Sequence, residues 1–376
     1  MLNLNKIIAG LFGAFWLSIC IADPLFTDAE LGLLKTHGPW PPLKQIDVTN
    51  RFSGNPKAIE LGEFLFEDQR LSRTGTVSCA TCHDPDKSYA DGKTLSQGIA
   101  PVHRNTPTVL NMMAWRWFGW DGAADSLWAQ SIRPILSTAE MDGAKFAVRA
   151  LYENDEDFRT ACLELFGAQP EDIKDEQLLV LTGKALAAWQ ETLISKRSRF
   201  DEFRDAAQTG DSEKIANYPK NAQRGAKIFL GEGRCSICHF GPAFTNSEFA
   251  STGLPHMTAD GQVDKGRLGG SQAVKNSPYN LLSDYNDDDT GASSTATRLL
   301  RRRHDSFGEF RVPGLRDIAK TGPYMHDGSL NTLADVVQHY SELNMERLHS
   351  TGDGLLRPLK LSAEQQADLV AFLETL

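Results

Sequence analysis

Two five-residue runs carry the most specific chemistry in this sequence: Cys79-Ala80-Thr81-Cys82-His83 and Cys235-Ser236-Ile237-Cys238-His239. Two thiols three residues apart, followed at once by an imidazole, form the pattern that attaches a c-type haem. The thiols make thioether bonds to the vinyl groups and the histidine stands as proximal ligand to the iron. One such run would also fit a redox-active thiol pair or half of a zinc site. Two runs in one chain, with no further cysteine pair beside either, fit haem far better than zinc. The expected cofactors are therefore two covalently bound c-type haems. Of the other cysteines, Cys162 lies in the helix-like stretch 157–166, where a buried thiol is its simplest role, and Cys20 lies in an N-terminal apolar run.

The sixth coordination position of each iron separates the functions open to such a chain. An electron carrier fills both positions with protein ligands, whereas a peroxidase keeps one open for H2O2. His103, Met325, His326 and Tyr340 are the candidates here, and spacing alone does not choose among them.

The chain that must position these groups has 376 residues, enough for two domains, with 41% hydrophobic and 23% charged residues, an ordinary globular composition. Its net charge of −10 argues against nucleic acid and anionic membrane surfaces and suits docking to a basic patch on a partner. Residues 1–22 read as a signal peptide: Lys6, an apolar run from Ile7, and Cys20 and Ala22 as the small residues before a cleavage site. An uncleaved anchor is the alternative. Export predicts a periplasmic protein. Apolar helical periodicity runs from Gln177 to Ile194, and the polar stretch 201–221 predicts the boundary between a domain over 23–205 and one over 206–376. The second domain opens with a helix over 222–230. Residues 260–303, rich in Gly, Asp, Asn and Ser, read as a long loop. Thr332 with Asp335, and Ser362 with Gln365, read as helix starts. The fold class is mainly α, with haem-filled cores and long loops.

Beyond the haem runs, a series of stretches resembles the bacterial dihaem cytochrome c peroxidase and MauG family, in the family's order and across nearly the whole mature length. They are Leu71-Ser72, Asn105-Thr106-Pro107-Thr108, Gly119-Trp120-Asp121-Gly122, Ala139-Glu140-Met141, Gly241-Pro242-Ala243-Phe244-Thr245, Arg311-Val312-Pro313-Gly314-Leu315-Arg316 and Thr321-Gly322-Pro323-Tyr324-Met325-His326-Asp327-Gly328. The resemblance implies two cytochrome c-like domains with one haem each: a peroxidatic haem in the N-terminal domain and an electron-transfer haem in the C-terminal one.

It also implies roles for single residues. Gln130, Pro134 and Glu140 fall where the family lines the pocket of the N-terminal haem, with Glu140 as the acid–base group and Gln130 as a hydrogen-bond donor. By itself Glu140 reads as a solvated carboxylate at a helix start. Trp120 matches the tryptophan between the haems; by itself it belongs to an aromatic cluster with Trp115, Trp117 and Phe118. Asn105, Thr321 and Pro323 match positions that hold one Ca2+. In one branch of the family a Met lies fourteen residues after the His of His-Asp-Gly and ligates the C-terminal haem. Here that residue is Tyr340, as in MauG-like members, although Leu333, Val336, Val337 and Tyr340 also form one helical face. The histidine that caps the N-terminal haem in that same branch has no match in 84–102, and His103 is too close to Asn105 to serve, so an open N-terminal haem is expected. MauG itself draws electrons out through a tryptophan two residues before the second haem run, where this chain has Gly233, and it has a longer loop before Asn-Thr-Pro.

Three functions follow as expectations. The first is reduction of H2O2 with electrons from a small cytochrome c or cupredoxin, relayed through the C-terminal haem. The second is MauG-like oxidation of a partner protein. The third is a non-enzymatic electron carrier or redox sensor. Family members are often homodimers; the sequence leaves the assembly open.

Overall fold

The computed structural model describes residues 26–43, 45–143, 145–258, 261–347 and 355–376, so the expected signal segment lies outside the described residues. The fold is mainly helical, and its one sheet among these residues is a two-stranded antiparallel pair, Phe249–Ser251 with Glu309–Arg311. No helix among the described residues is long and apolar enough to cross a membrane.

Two hydrophobic cores organise the helices. The first is built on the helix Asp175–Gln190, which is buried from Leu178 onward on every side and packs against helices Pro56–Glu67, Leu127–Leu136 and Lys145–Asn154. Asp175 and Glu176 sit at its start, where negative charge suits the helix dipole. It ends at Gln190, four residues short of the periodicity read from the sequence. The crossing with Pro56–Glu67 is tight enough that a Cβ on Gly62 would collide with the backbone of Ala185. The second core joins helices Lys220–Leu230 and Ala363–Leu373, where a Cβ on Gly225 would collide with the backbone carbonyl of Asp368. Leu333 and Val337 of helix Leu333–Ser341 complete that core. The two read helix starts form capping boxes: Thr332 Oγ1 accepts from Asp335 N at 3.1 Å, and Ser362 Oγ accepts from Gln365 N at 3.2 Å. Cys162 is fully buried in helix Glu156–Phe166.

The cores interleave along the chain. Phe26 and Leu34, from the segment around helix Asp28–Lys35, belong to the second core, as do Phe200 and Phe203 of helix Arg199–Thr209. The stretch 201–221, read as polar and poor in core residues, buries Asp201, Phe203, Arg204 and Tyr218. Tyr279 and Leu281 return to the first core. The stretch 260–303 is not one long loop: it contains helices Arg267–Asn276 and Thr295–Leu299, the former with Arg267, Leu268 and Val274 buried. Its many small residues allow this helix to press on the backbone of Asp121, where Gly270 has no room for a Cβ.

The buried residues of 201–221 are charged for a reason. Asp201, Arg204 and Arg316 are each at most 2% exposed. Arg316 places Nη1 2.8 Å and Nη2 3.0 Å from the two oxygens of Asp201, and Arg204 Nη1 lies 2.7 Å from Oδ1. Arg204 also donates to His37 O, and Arg316 Nε donates to Pro242 O while its guanidinium lies 3.8 Å over the Trp40 ring. One carboxylate thus ties the N-terminal segment, helix Arg199–Thr209 and the loop after the second cysteine pair. Burial alone would raise the Asp201 carboxyl; Arg316, Ser198 and Arg204 overcome this and hold it below its ordinary value. Such a group stabilises the fold above its unfolded pKa, and that contribution is lost as pH falls through the lower folded one. Asp201→Asn is expected to cost about 3–5 kcal/mol by leaving buried guanidinium charge uncompensated. It is also expected to reduce the loss of stability on acidification below pH ~4, both read from denaturant unfolding curves at several pH values.

Candidate functional site

The first cysteine pair lies on the one-turn helix Cys79–Cys82, with Ser78 before it donating its backbone N–H to Thr81 Oγ1 at 3.0 Å. Three residues apart on one turn, the two thiols face a common cavity together with His83. The His83 Nδ1 lies 3.1 Å from Tyr89 O. A carbonyl only accepts, so Nδ1 carries the proton and Nε2 keeps its lone pair. Burial lowers the imidazole pKa, which keeps the ring neutral and able to bind a metal.

The second pair repeats this design. His239 donates its backbone N–H to Cys235 O at 2.8 Å, and its Nδ1 lies 3.1 Å from both Phe244 O and Pro313 O. Burial again holds the ring neutral. His37, contributed by the N-terminal segment, contacts His239 O through Nε2 at 3.2 Å. Sequence reasoning gave no sign of His37, because its role comes from a contact across the fold.

Gln130 and Pro134 stand one turn apart on helix Leu127–Leu136 and, with Glu140, line the first cavity alongside Cys79, Cys82 and His83. Glu140 is not at a helix start but in the turn after this helix. Its backbone carbonyl accepts from Ile99 N at 2.9 Å. Burial raises its carboxyl pKa, with Arg133 and Ser137 opposing. Arg133 Nη1 donates to Gln130 Oε1 at 2.8 Å. That bond orients the amide with its oxygen taken and its NH2 free to donate. His83 is the one histidine lining this cavity among the described residues. His103 is exposed and lines neither cavity.

The two cavities share a wall: Asn105, Thr106, Pro107, Thr108, Trp115 and Trp120 line both. Trp120 is pinned there, its Nε1 donating to Asn105 O at 2.8 Å and its carbonyl accepting from Arg311 N at 2.7 Å.

Met325, His326 and Tyr340 all line the second cavity. Their surroundings differ. His326 stacks on Phe310 with ring centroids 3.5 Å apart. Burial pushes its pKa down to about 4, and the charges that act on it are Asp327, Asp264, Arg104 and His256. Tyr340 feels Cys235 and Cys238 instead; burial first, then those thiols, push its phenol far above the ordinary range. Of these two side chains it is Tyr340 on which the thiols of the cysteine pair act. Thr321 and Pro323 line the same cavity as Asn105, whose Nδ2 donates to Lys93 O at 2.9 Å and leaves Oδ1 available.

The donor sets fit haem. Each cavity presents two thiols that form no disulfide and one neutral imidazole with Nδ1 already engaged. Neither cysteine pair extends to a bare-metal site, since no group of three His, Cys, Asp or Glu among the described residues could hold one. The second cavity also contains a buried guanidinium, Arg311, with no acidic partner, as an anionic occupant would require. The sequence gave Arg311 only as part of a longer stretch; its burial becomes visible only in the fold.

Residues 56–209 match the family model of the di-haem cytochrome c peroxidases. Over 323 residues, 85% of this chain and 78% of the relative, the sequence is 34% identical to the methylamine utilization protein MauG of Methylorubrum extorquens. It is 32% identical to the cytochrome-c peroxidase IdrP2 of Pseudomonas sp. (strain SCT), covering 90% of this chain and 84% of the relative. The chain belongs to the di-haem cytochrome c peroxidase and MauG family. It is thus an oxidoreductase of a family that carries two c-type haems. Among solved structures, a MauG-like protein associated with microbial copper homeostasis superposes with a TM-score of 0.66 at 28% identity, covering 90% of this chain and 95% of the other.

Proposed function

We propose that this chain reduces H2O2 to two waters at the first cavity, consuming two protons and two electrons, the electrons arriving from a small donor protein by way of the second cavity. The observation that carries this reading is the composition of the first cavity: Glu140 and Gln130, with its amide oxygen taken by Arg133, line it together with His83, the one histidine that does so among the described residues. Haem bound there through Cys79, Cys82 and His83 would supply the iron at which the peroxide O–O bond is reduced.

The chain's own residues do the rest. Glu140, with its pKa raised by burial, takes the proton from one peroxide oxygen and returns it to the other, so that water leaves. Gln130, its Oε1 taken by Arg133, would donate its amide N–H to a peroxide oxygen. Pro134 holds the apolar side of the pocket one turn away. Trp120, in the wall common to both cavities, couples them. Tyr340 would ligate the second haem; burial holds its phenol neutral, and a cation bonded to its oxygen would favour the phenolate. Asn105, Thr321 and Pro323, which line one cavity, would offer side-chain and backbone oxygens to one Ca2+. Family members are typically periplasmic, and residues 1–22 serve as the export signal.

A second reading, oxidation of a partner protein, is favoured by the identity to MauG and by Tyr340. Gly233, where MauG has its exit tryptophan, weighs against the same exit route; Gly233 is buried, and a Cβ there would press on Ile228 O.

Glu140→Gln is expected to leave both haems attached and slow peroxide cleavage ~10²-fold or more. In the parent protein the rate should fall as acid protonates Glu140, at a pH above the ordinary carboxylate range, and this limb should vanish in the variant; stopped-flow rates between pH 4 and 8 decide. Tyr340→Phe is expected to alter the spin state or ligand bands of the second haem alone, read by low-temperature EPR of the ferric protein. An unchanged spectrum would leave Tyr340 as a packing residue.

A further inference from the structure

Among the described residues four arginines are buried and Arg104 is part-buried; all of these but Arg311 have their charge or donors answered. Arg104 lies against Asp121 and Asp264, Arg204 and Arg316 against Asp201, and Arg267 donates to Gly122 O. Arg311 differs. It is 1% exposed, its Nη1 and Nη2 have no hydrogen-bond partner, and no acidic group acts on it. Only its Nε reaches a carbonyl, Gly119 O at 3.3 Å. The guanidinium lies over Trp115, its Cζ 3.5 Å from the ring centroid, and the Trp115 Nε1 is a further buried donor without a partner. Both side chains line the second cavity.

Three unpartnered donor nitrogens around one buried positive charge would be strongly destabilising unless an anion answered them. The second haem carries two carboxylates of its own, its propionates. A guanidinium fork matches a carboxylate in charge and geometry, and stacking on an indole adds to its fixed orientation. We infer that Arg311 and Trp115 form the seat for a propionate of the second haem, supplying the donors that its two oxygens need. This rests on the reading that Cys235, Cys238 and His239 hold that haem.

The seat is coupled to the wall between the cavities. Arg311 closes the strand Glu309–Arg311, pairs there with Phe249, and donates its backbone N–H to Trp120 O at 2.7 Å. The residue that meets the propionate therefore also fixes Trp120. Arg311 acts as a positioning residue and as a tuner of potential: a cation beside the propionate disfavours the extra positive charge of ferric iron.

The test is an EPR-monitored redox titration of the holoprotein, haem by haem, in Arg311→Leu, Arg311→Lys and Trp115→Phe, with haem content per chain measured first. Arg311→Leu is expected to shift the second haem toward its ferric form about tenfold, a midpoint about 59 mV lower for one electron. Arg311→Lys, which keeps the charge but loses the fork, should shift it less, and so should Trp115→Phe. Lys is also the variant that reports if Leu does not fold. A second haem whose potential is the same in the Lys and Phe variants as in the parent, or a shift confined to the first haem, would overturn the seat. A parent protein with only one haem per chain would instead overturn the assignment of Cys235, Cys238 and His239.

Discussion

The hydrogen bond from the indole of Trp120 to the carbonyl of Asn105 is the constraint on which the two-centre arrangement depends. Asn105 opens the stretch that walls both cavities, and it is held from three directions: by Trp120, by His326 O accepting from its backbone N–H at 2.9 Å, and by Lys93 O accepting from its side chain. Trp120 is held in turn by Arg311. Arg104, next to Asn105, is clamped between Asp121 and Asp264. Each of these partners comes from a different part of the chain, so the wall is thin but rigid. A thin wall keeps two centres close, and rigidity keeps their separation constant.

Around that wall, both histidines of the cysteine runs face the same physical problem and meet it alike. A metal ligand must be neutral and correctly tautomeric, and a buried ring beside a backbone carbonyl is both. The carbonyls come from tight turns: Tyr89 and Phe244 both have positive φ, at 59° and 55°. Such conformations are costly for non-glycine residues and persist where packing over-determines them. For His239 the packing comes from Phe244 inside an aromatic cluster with Phe200, Phe229 and Phe372, and from Arg316 anchored on Asp201. The buried ion cluster therefore sits directly behind the second site.

Local patterns were legible in the sequence. The cysteine runs, the two capping boxes, the helix that opens at Lys220 and the burial of Cys162 all follow from spacing and side-chain chemistry within a few residues. What was not legible depends on distant partners. A polar stretch reads as poor in core residues until Asp201 is seen to neutralise Arg316, more than a hundred residues away. A glycine- and serine-rich stretch reads as a loop until Gly270 is seen to allow a helix against Asp121. Glu140 reads as solvated because nothing nearby reveals that residues 98–100 cover its turn. Arg311 reads as one basic residue in a motif because its lack of a partner is a property of the whole cavity.

The two groups argued to set the second haem's electronics act in opposite directions. A phenolate from Tyr340 would place negative charge directly on the iron and favour ferric and higher states. A guanidinium at Arg311 acts at longer range and favours the ferrous state. Were both charges equally close, they would cancel; an axial ligand bonds to the iron, whereas a propionate partner acts through the periphery of the macrocycle. The phenolate would therefore dominate, with Arg311 moderating it. The result would be a second centre biased toward oxidation, next to a first cavity lined by the carboxyl of Glu140, whose pKa burial raises. That bias suits a site that gives up an electron readily once peroxide has been cleaved next door, and it suits reduction of peroxide and oxidation of a protein partner equally. The choice between them then falls to the residues that carry electrons into and out of the second cavity, and Gly233, buried in its wall, gives that path no side chain.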